Sequence, residues 1–153
     1  MINLTVPFYD FCGFRSVAVN NVYKLQFFYI YSINACHVEF LRISASNQLV
    51  LIGLHTKPTD AVDEMEALID VHAAVEQHWN TNNILIMGDL NADCSYASQT
   101  ALQGLTLRTD PRFSWLIGDD VDTTTTSTDC AYDRCVWRGI ATCNKVGFRQ
   151  AVG

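Results

Sequence analysis

The stretch Gly88-Asp89-Leu90-Asn91-Ala92-Asp93-Cys94 sets a carboxylate and an amide two residues apart, directly after the apolar run Ile84-Leu85-Ile86-Met87. If the chain stays extended there, both side chains face the same way. Oxygen donors of this kind suit Mg²⁺ or Ca²⁺ rather than zinc, and a divalent ion beside a phosphodiester can polarise it, orient it and stabilise the leaving oxygen. Taken alone, an Asp-x-Asn after a strand is more often a turn. His55 closes an earlier apolar run at a similar depth, where an imidazole can donate a proton or hydrogen-bond a phosphoryl oxygen. Asp133, in Cys130-Ala131-Tyr132-Asp133-Arg134, can orient a histidine base while Tyr132 and Arg134 contact phosphate. Without company, that Asp and Arg read as a surface ion pair. His72 and His78 fall within a predicted amphipathic helix and His37 has no motif around it, so these three take a structural reading.

The elements that must position these groups follow from the pattern on either side. Leu49-Val50-Leu51-Ile52-Gly53-Leu54 reads as a strand, Thr56-Lys57-Pro58-Thr59 as a turn, and the residues up to Trp79 as a helix. Thr59 or Asp60 can cap that helix, and Asp63 and Glu64 suit its positive end. Ala61, Met65, Leu68, Ile69, Val75 and Trp79 recur at helical spacing, a face that should pack on a sheet. Asn80 to Asn83 breaks the helix, and Ile84 to Met87 is expected to be a strand buried on both faces. Trp115-Leu116-Ile117 and Cys135-Val136-Trp137 read as further short strands, separated by the tract from Asp119 to Asp129, with a turn at Thr109-Asp110-Pro111 before them. Phe27 to Ile33 is also read as a buried strand. The whole predicts an α/β layered domain.

With 153 residues, 49% hydrophobic and 17% charged, the chain is long and apolar enough to bury a core. A formal charge of −6 gives no overall basic footprint, which disfavours a DNA-coating or DNA-binding module without chemistry. Phosphate contact must then come from local arginines or bound cations. The cysteines at positions 12, 36, 94, 130, 135 and 143 form no CxxC pair, so disulfides and an oxidising compartment are expected rather than a zinc ribbon. Asp10, Arg15 and Lys24 interrupt any clean signal peptide, and no segment approaches a membrane span. Thr123-Thr124-Thr125-Thr126 alone reads as an exposed loop.

Taken together, these motifs resemble the deoxyribonuclease I family, within the endonuclease/exonuclease/phosphatase superfamily. The resemblance runs from about Asn47 to Gly139. It is carried by Leu54-His55-Thr56-Lys57-Pro58, the Asp60-Ala61-Val62 helix start, Met87 through Tyr96, Leu107-Arg108-Thr109, Phe113 through Ile117, and Asp122-Thr123-Thr124 through Arg134. It implies a layered α/β sandwich of two packed mixed β-sheets flanked by helices. It also implies a DNA substrate, Mg²⁺ in catalysis and Ca²⁺ in structure. His55 then matches the first catalytic histidine, Asp89 and Asn91 match active-site residues around the scissile phosphate and metal, and Asp133 matches the carboxylate that supports a second histidine. Tyr132 matches a phosphate-side contact, Cys94 and Cys130 match a structural disulfide, and Asp122, Thr124 and Thr128 match a calcium-binding loop.

The departures lie at both ends. The family's amino-terminal half supplies an asparagine and a glutamate for the metal and a second glutamate paired with the histidine matching His55; none can be placed in this sequence. Phe14-Arg15-Ser16-Val17-Ala18-Val19 faintly resembles the strand after the missing glutamate, and Asp10 and Glu39 are the nearby acidic residues. The Ser-Asp-His segment that brings the second histidine is expected after Gly153. Residues 1–46 are therefore read as a divergent segment of the same domain, and residues 47–153 as its core, truncated at the carboxyl end. The expected function is a metal-dependent endonuclease that cuts DNA to 5′-phosphate products, monomeric, without membrane association, and secreted or lumenal. The alternative is a catalytically impaired fragment that retains calcium or partner binding. Cys135 sits just past the motif and is read as a candidate free thiol.

Overall fold

The computed structural model describes residues 22–24, 36–44 and 47–139. Within them, β1 (Val22–Lys24), β2 (Cys36–Ser44), β3 (Asn47–Leu54), β4 (Ile84–Asp89), β5 (Ser114–Trp115) and β6 (Asp133–Arg138) form one mixed sheet ordered β1-β2-β3-β4-β6-β5. β1 and β2, from the amino-terminal segment, pair antiparallel into the edge beside β3. The stretches Phe14 to Val19 and Phe27 to Ile33, both read as strands, lie outside the described residues.

β3 and β4 are parallel, so the chain between them must cross over, and α1 (Ala61–Trp79) is that crossover. Pro58 opens a single 3-10 turn, Pro58–Asp60, just before it. Asp60 occupies the N-cap position, but its side chain makes no capping bond. Instead it accepts from Lys57 Nζ at 2.8 Å, which corrects the capping expectation. Asn80, in the left-handed region at φ 49°, ends the helix.

α1 buries Ala61, Met65, Leu68, Val71 and Val75 against Val50, Ile52 and Leu54 of β3, Ile84 and Ile86 of β4, and Val136 of β6. Each fully buried Leu or Ile in that layer contributes roughly 1.5–3 kcal/mol. Ile69 and Trp79 lie at its margin, partly buried. Two short helices, α2 (Gln99–Gly104) and α3 (Thr106–Thr109), add Leu102 and Leu107 to this core, and Ser98 Oγ caps α2 by accepting from Ala101 N–H at 3.2 Å. On the other side of the sheet, Leu49, Leu51, Leu85 and Cys135 pack with Met87, Leu116, Ile117 and Trp137. β4 is thus covered on both faces, as its unbroken apolar run requires.

The layered α/β class expected from the sequence holds, with one mixed sheet and its helices among the described residues. β5 is shorter than expected, although Leu116 N–H still donates to Cys135 O at 2.8 Å. Cys135, read as a candidate free thiol, is disulfide-bonded. Among the described residues no helix is long and apolar enough to cross a membrane.

Candidate active site

Three neighbouring strands deliver their polar residues to one edge of the sheet. β3 ends at Leu54 and β4 at Asp89, so His55 and Asp89 emerge together at the carboxyl ends of a parallel pair, where ligands gather in open α/β sheets. β6 runs the other way and begins at Asp133, directly opposite Asp89 in the ladder. Gly88 makes this convergence possible. It adopts φ +145°, and a Cβ there would fall 1.9 Å from the Leu54 carbonyl oxygen, so only glycine lets β4 approach the end of β3 this closely. Thr56 N–H then donates to Asp89 O at 3.0 Å and extends the pairing past the strand ends.

His55 is exposed, and its Nε2 lies 3.5 Å from Asp89 Oδ2. The other Asp89 oxygen, Oδ1, accepts the Asn91 backbone N–H at 3.1 Å. Asn91 does not continue the strand. It sits at φ 45°, in the left-handed region that asparagine tolerates better than most residues, so the alternation argument stops at Asp89. Its side chain is buried and Nδ2 donates to Thr56 O at 2.9 Å, tying the segment after β4 to the segment after β3.

Burial, reinforced by the Asp89 charge, pushes the Asp133 carboxyl up to about 6, while nearby His55 pulls the other way. Two carboxylates facing each other across a ladder leave negative charge without a full counterweight. Tyr132 lines the same cleft as Asp89, Asp133 and Thr123 to Thr126, and its ring lies 5.3 Å from that of exposed Tyr96. Burial raises its phenol above the ordinary value, with the neighbouring acidic groups adding to this.

The threonine tract folds back on itself. Asp122 Oδ1 accepts from Thr124 N–H at 2.8 Å and Thr124 Oγ1 at 2.7 Å, and Thr124 Oγ1 also contacts the Thr128 carbonyl. Asp122, Thr124 and Thr128 therefore bring oxygens together in one loop. Thr123 links that loop to the cleft, because its Oγ1 accepts the Asp133 N–H at 3.0 Å and donates to Cys130 O at 3.2 Å. Nothing in a run of four threonines singles out Thr123. Nor does the sequence mark out Asp93, whose Oδ2 accepts Ala131 N–H at 2.8 Å, beside the Cys94–Cys130 disulfide with its 6.0 Å Cα separation.

Arg134 departs from the expectation of a phosphate contact. Its side chain is 0% exposed, and its guanidinium donates to the carbonyls of Ala92, Ile117 and Gly118 and pairs with Asp119. β-strand alternation explains this: Asp133 points to the cleft, so Arg134 points to the opposite face. His72 is buried too, and is pushed down to about 4 by burial and by the Arg138 guanidinium. Among the described residues, no three His, Cys, Asp or Glu side chains gather into a metal cage. Mg²⁺ often needs only one or two carboxylates, with waters and substrate phosphate completing its shell.

Residues 3–150 match the pattern of the Endonuclease/Exonuclease/phosphatase family. The chain belongs to this family. Among its curated relatives are Deoxyribonuclease-1 of Bos taurus, 48% identical over 60% of this chain and 33% of the relative, and Deoxyribonuclease gamma of Mus musculus, 48% identical over 71% and 35%. Deoxyribonuclease gamma of Homo sapiens is 50% identical over 63% of this chain and 32% of its own length. The chain thus spans about a third of the length of the curated relatives it matches. Two solved structures share the family's fold. The endonuclease domain of TRAS1, a telomere-specific non-LTR retrotransposon, aligns with a TM-score of 0.50 at 16% identity over 67% of this chain and 50% of its own. Truncated Caenorhabditis elegans TDP2 aligns with a TM-score of 0.54 at 11% identity over 78% and 53%.

Proposed function

We propose that this chain carries part of the active site of a divalent-metal-dependent endodeoxyribonuclease that hydrolyses DNA phosphodiester bonds and leaves 5′-phosphate ends. The observation that carries the reading is the convergence of His55, Asp89 and Asp133 from three adjacent strands onto one edge. In that reaction water adds to phosphorus, the bond to the 3′ oxygen breaks, and protons pass from the water and to the leaving oxygen. His55, exposed and held by Asp89, moves a proton at the phosphate. Asn91 fixes the backbone between the strand ends through Thr56. Asp133 supports the second histidine that the resemblance implies, and Tyr132 offers its hydroxyl to the phosphate side of the cleft.

The donor chemistry fits a hard cation. Asp89 and Asp133 are oxygen donors in register at the strand ends, the kind of ligand a hard cation takes. Asp89 and Asn91 would hold Mg²⁺, which when bound polarises the phosphodiester and stabilises the leaving oxygen. Asp122, Thr124 and Thr128 would hold Ca²⁺, whose preference for carboxylate, hydroxyl and carbonyl oxygens matches that loop. Secretion or residence in an endomembrane lumen agrees with the Cys94–Cys130 disulfide. DNA is the partner, and the chain acts as a monomer.

A second reading rests on the 122–128 loop, whose own hydrogen bonds do not depend on His55 or Asp89. In it the chain is a catalytically impaired fragment that still binds calcium or a partner. Conversion of supercoiled plasmid to nicked circles by the purified chain, with Mg²⁺ and Ca²⁺, against EDTA and Asp89→Ala, separates the two. Nicking that needs metal and Asp89 supports the enzyme. Folded protein that does not nick, yet unfolds at higher temperature in Ca²⁺, supports the second reading.

A further inference from the structure

Arg134 is the most deeply buried charged side chain among the described residues, and it makes contact with the backbone of two segments beside the cleft. Nη2 donates to Ala92 O at 2.8 Å; Nη1 donates to Gly118 O at 2.8 Å and Ile117 O at 3.2 Å, and lies 2.9 Å from Asp119 Oδ1. Asp119 is itself held by Arg108, whose guanidinium stacks 3.8 Å over the Trp115 ring. Ala92 directly follows Asn91, and Gly118 leads into the threonine loop. A planar fork of donors can serve carbonyls on two segments at once, whereas an ammonium is a single point.

The segment after β4 needs such a clamp. Asn91 and Cys94 both hold left-handed backbone, φ 45° and 52°, a conformation uncommon outside glycine though least disfavoured for asparagine, so the contacts around the segment help to keep it. One side is imposed by Asn91 Nδ2 on Thr56 O and by Leu90 N–H on Tyr132 O. Arg134 supplies a tie at Ala92. We propose that Arg134 is a positioning residue: through Ala92 it sets the geometry of Asn91 and Asp89 from the face opposite the cleft, without touching substrate. This rests on the reading of Asp89 and Asn91 as site residues.

The test uses the full chain, ¹⁵N-labelled, as wild type, Arg134→Met, Arg134→Lys and Asp119→Asn, all measured well below their unfolding temperatures. The first readout is hydrogen exchange and chemical shift of the Asn91 side-chain amide; the second is plasmid nicking at saturating DNA. In Arg134→Met we expect Asn91 amide exchange to quicken, and turnover to fall roughly tenfold to a hundredfold with half-saturating DNA unchanged, since small misplacements cost that much. Arg134→Lys recovers part of both effects, and Asp119→Asn shifts both weakly in the same direction. Should Arg134→Met fail to fold, the lysine and asparagine variants decide. Folded variants whose Asn91 signals and saturating rate equal those of wild type overturn the proposal, whatever happens to their melting temperature. A wild type that does not nick overturns the cleft reading, while the Asn91 amide still decides the clamp.

Discussion

Arg134 and Arg138 stand four residues apart on β6, in register with Gly88 and Ile84 of β4, and they make different kinds of bond. Arg134, at the site end, donates chiefly to main-chain carbonyls of the loops beside the cleft, with Asp119 as an ion-pair partner. Arg138, at the far end, reaches side chains of α1, with Nη1 3.2 Å from His72 Nδ1 and paired to Glu76. An arginine bonded to carbonyls fixes where a chain runs, because the acceptors have no freedom of their own. An arginine bonded to titratable side chains mainly sets their charge. On β6, Arg134 therefore acts mainly on backbone geometry and Arg138 mainly on the charge of α1 side chains.

The sharpest way to break the contrast is Gly88→Ala. Its Cβ meets the Leu54 carbonyl at 1.9 Å, so we expect a loss of about 5 kcal/mol, or no folded protein, by denaturant unfolding. Gly104→Ala, with nothing within 4 Å, is the silent control. Next comes Arg134→Met, which strands buried carbonyls while Asp119 keeps its pair with Arg108, and should cost about 4 kcal/mol in the same assay.

The third test is pH. His72 titrates at about 4 in the fold and near 6.5 in the unfolded chain, so between those values the unfolded chain binds more protons. Stability then rises with pH across the window and is lost as pH falls through it, by about 3 kcal/mol in full. Asp133, raised to about 6 from 3.8, has the opposite sign, because the folded state holds its proton longer and loses that contribution as pH rises through the window. His72→Gln should remove the first slope and Asp133→Asn the second, measured by urea unfolding from pH 7 to 4. Arg138→Met gives the smallest effect, about 1 kcal/mol, since its partner Glu76 can rehydrate. It should also let the His72 pKa rise, visible in the NMR titration of its ring protons.

The β3-α1-β4 unit was legible because it is written in apolar runs and helical spacing, signals that survive without any tertiary context. Even there, Val71 is buried on α1 outside the expected apolar face, and Glu64, expected only to suit the helix's positive end, is buried and accepts the Lys57 N–H at 3.2 Å. The positions of His55 and Asp89 followed from where their strands end. Asn91 follows the turn reading of Asp-x-Asn rather than the extended one: its φ of 45° lies in the left-handed region, where asparagine is among the better tolerated residues. Arg134 was misjudged in environment: a basic residue next to an aspartate looks the same in sequence whether it faces solvent or a ring of carbonyls. Its burial follows only from knowing that β6 lies between β4 and β5.

The Cys94–Cys130 bond also makes the intervening stretch a covalent ring, with 36 residues of sequence separation. α2, α3, β5 and the threonine tract all lie on it. A protease that cuts one peptide bond inside that ring severs the backbone without releasing either half. Such a clipped molecule keeps its full mass on a gel without reductant and separates into two pieces only once the bridge is opened, so damage to the cleft's outer wall would pass unseen in a sample judged intact by size alone.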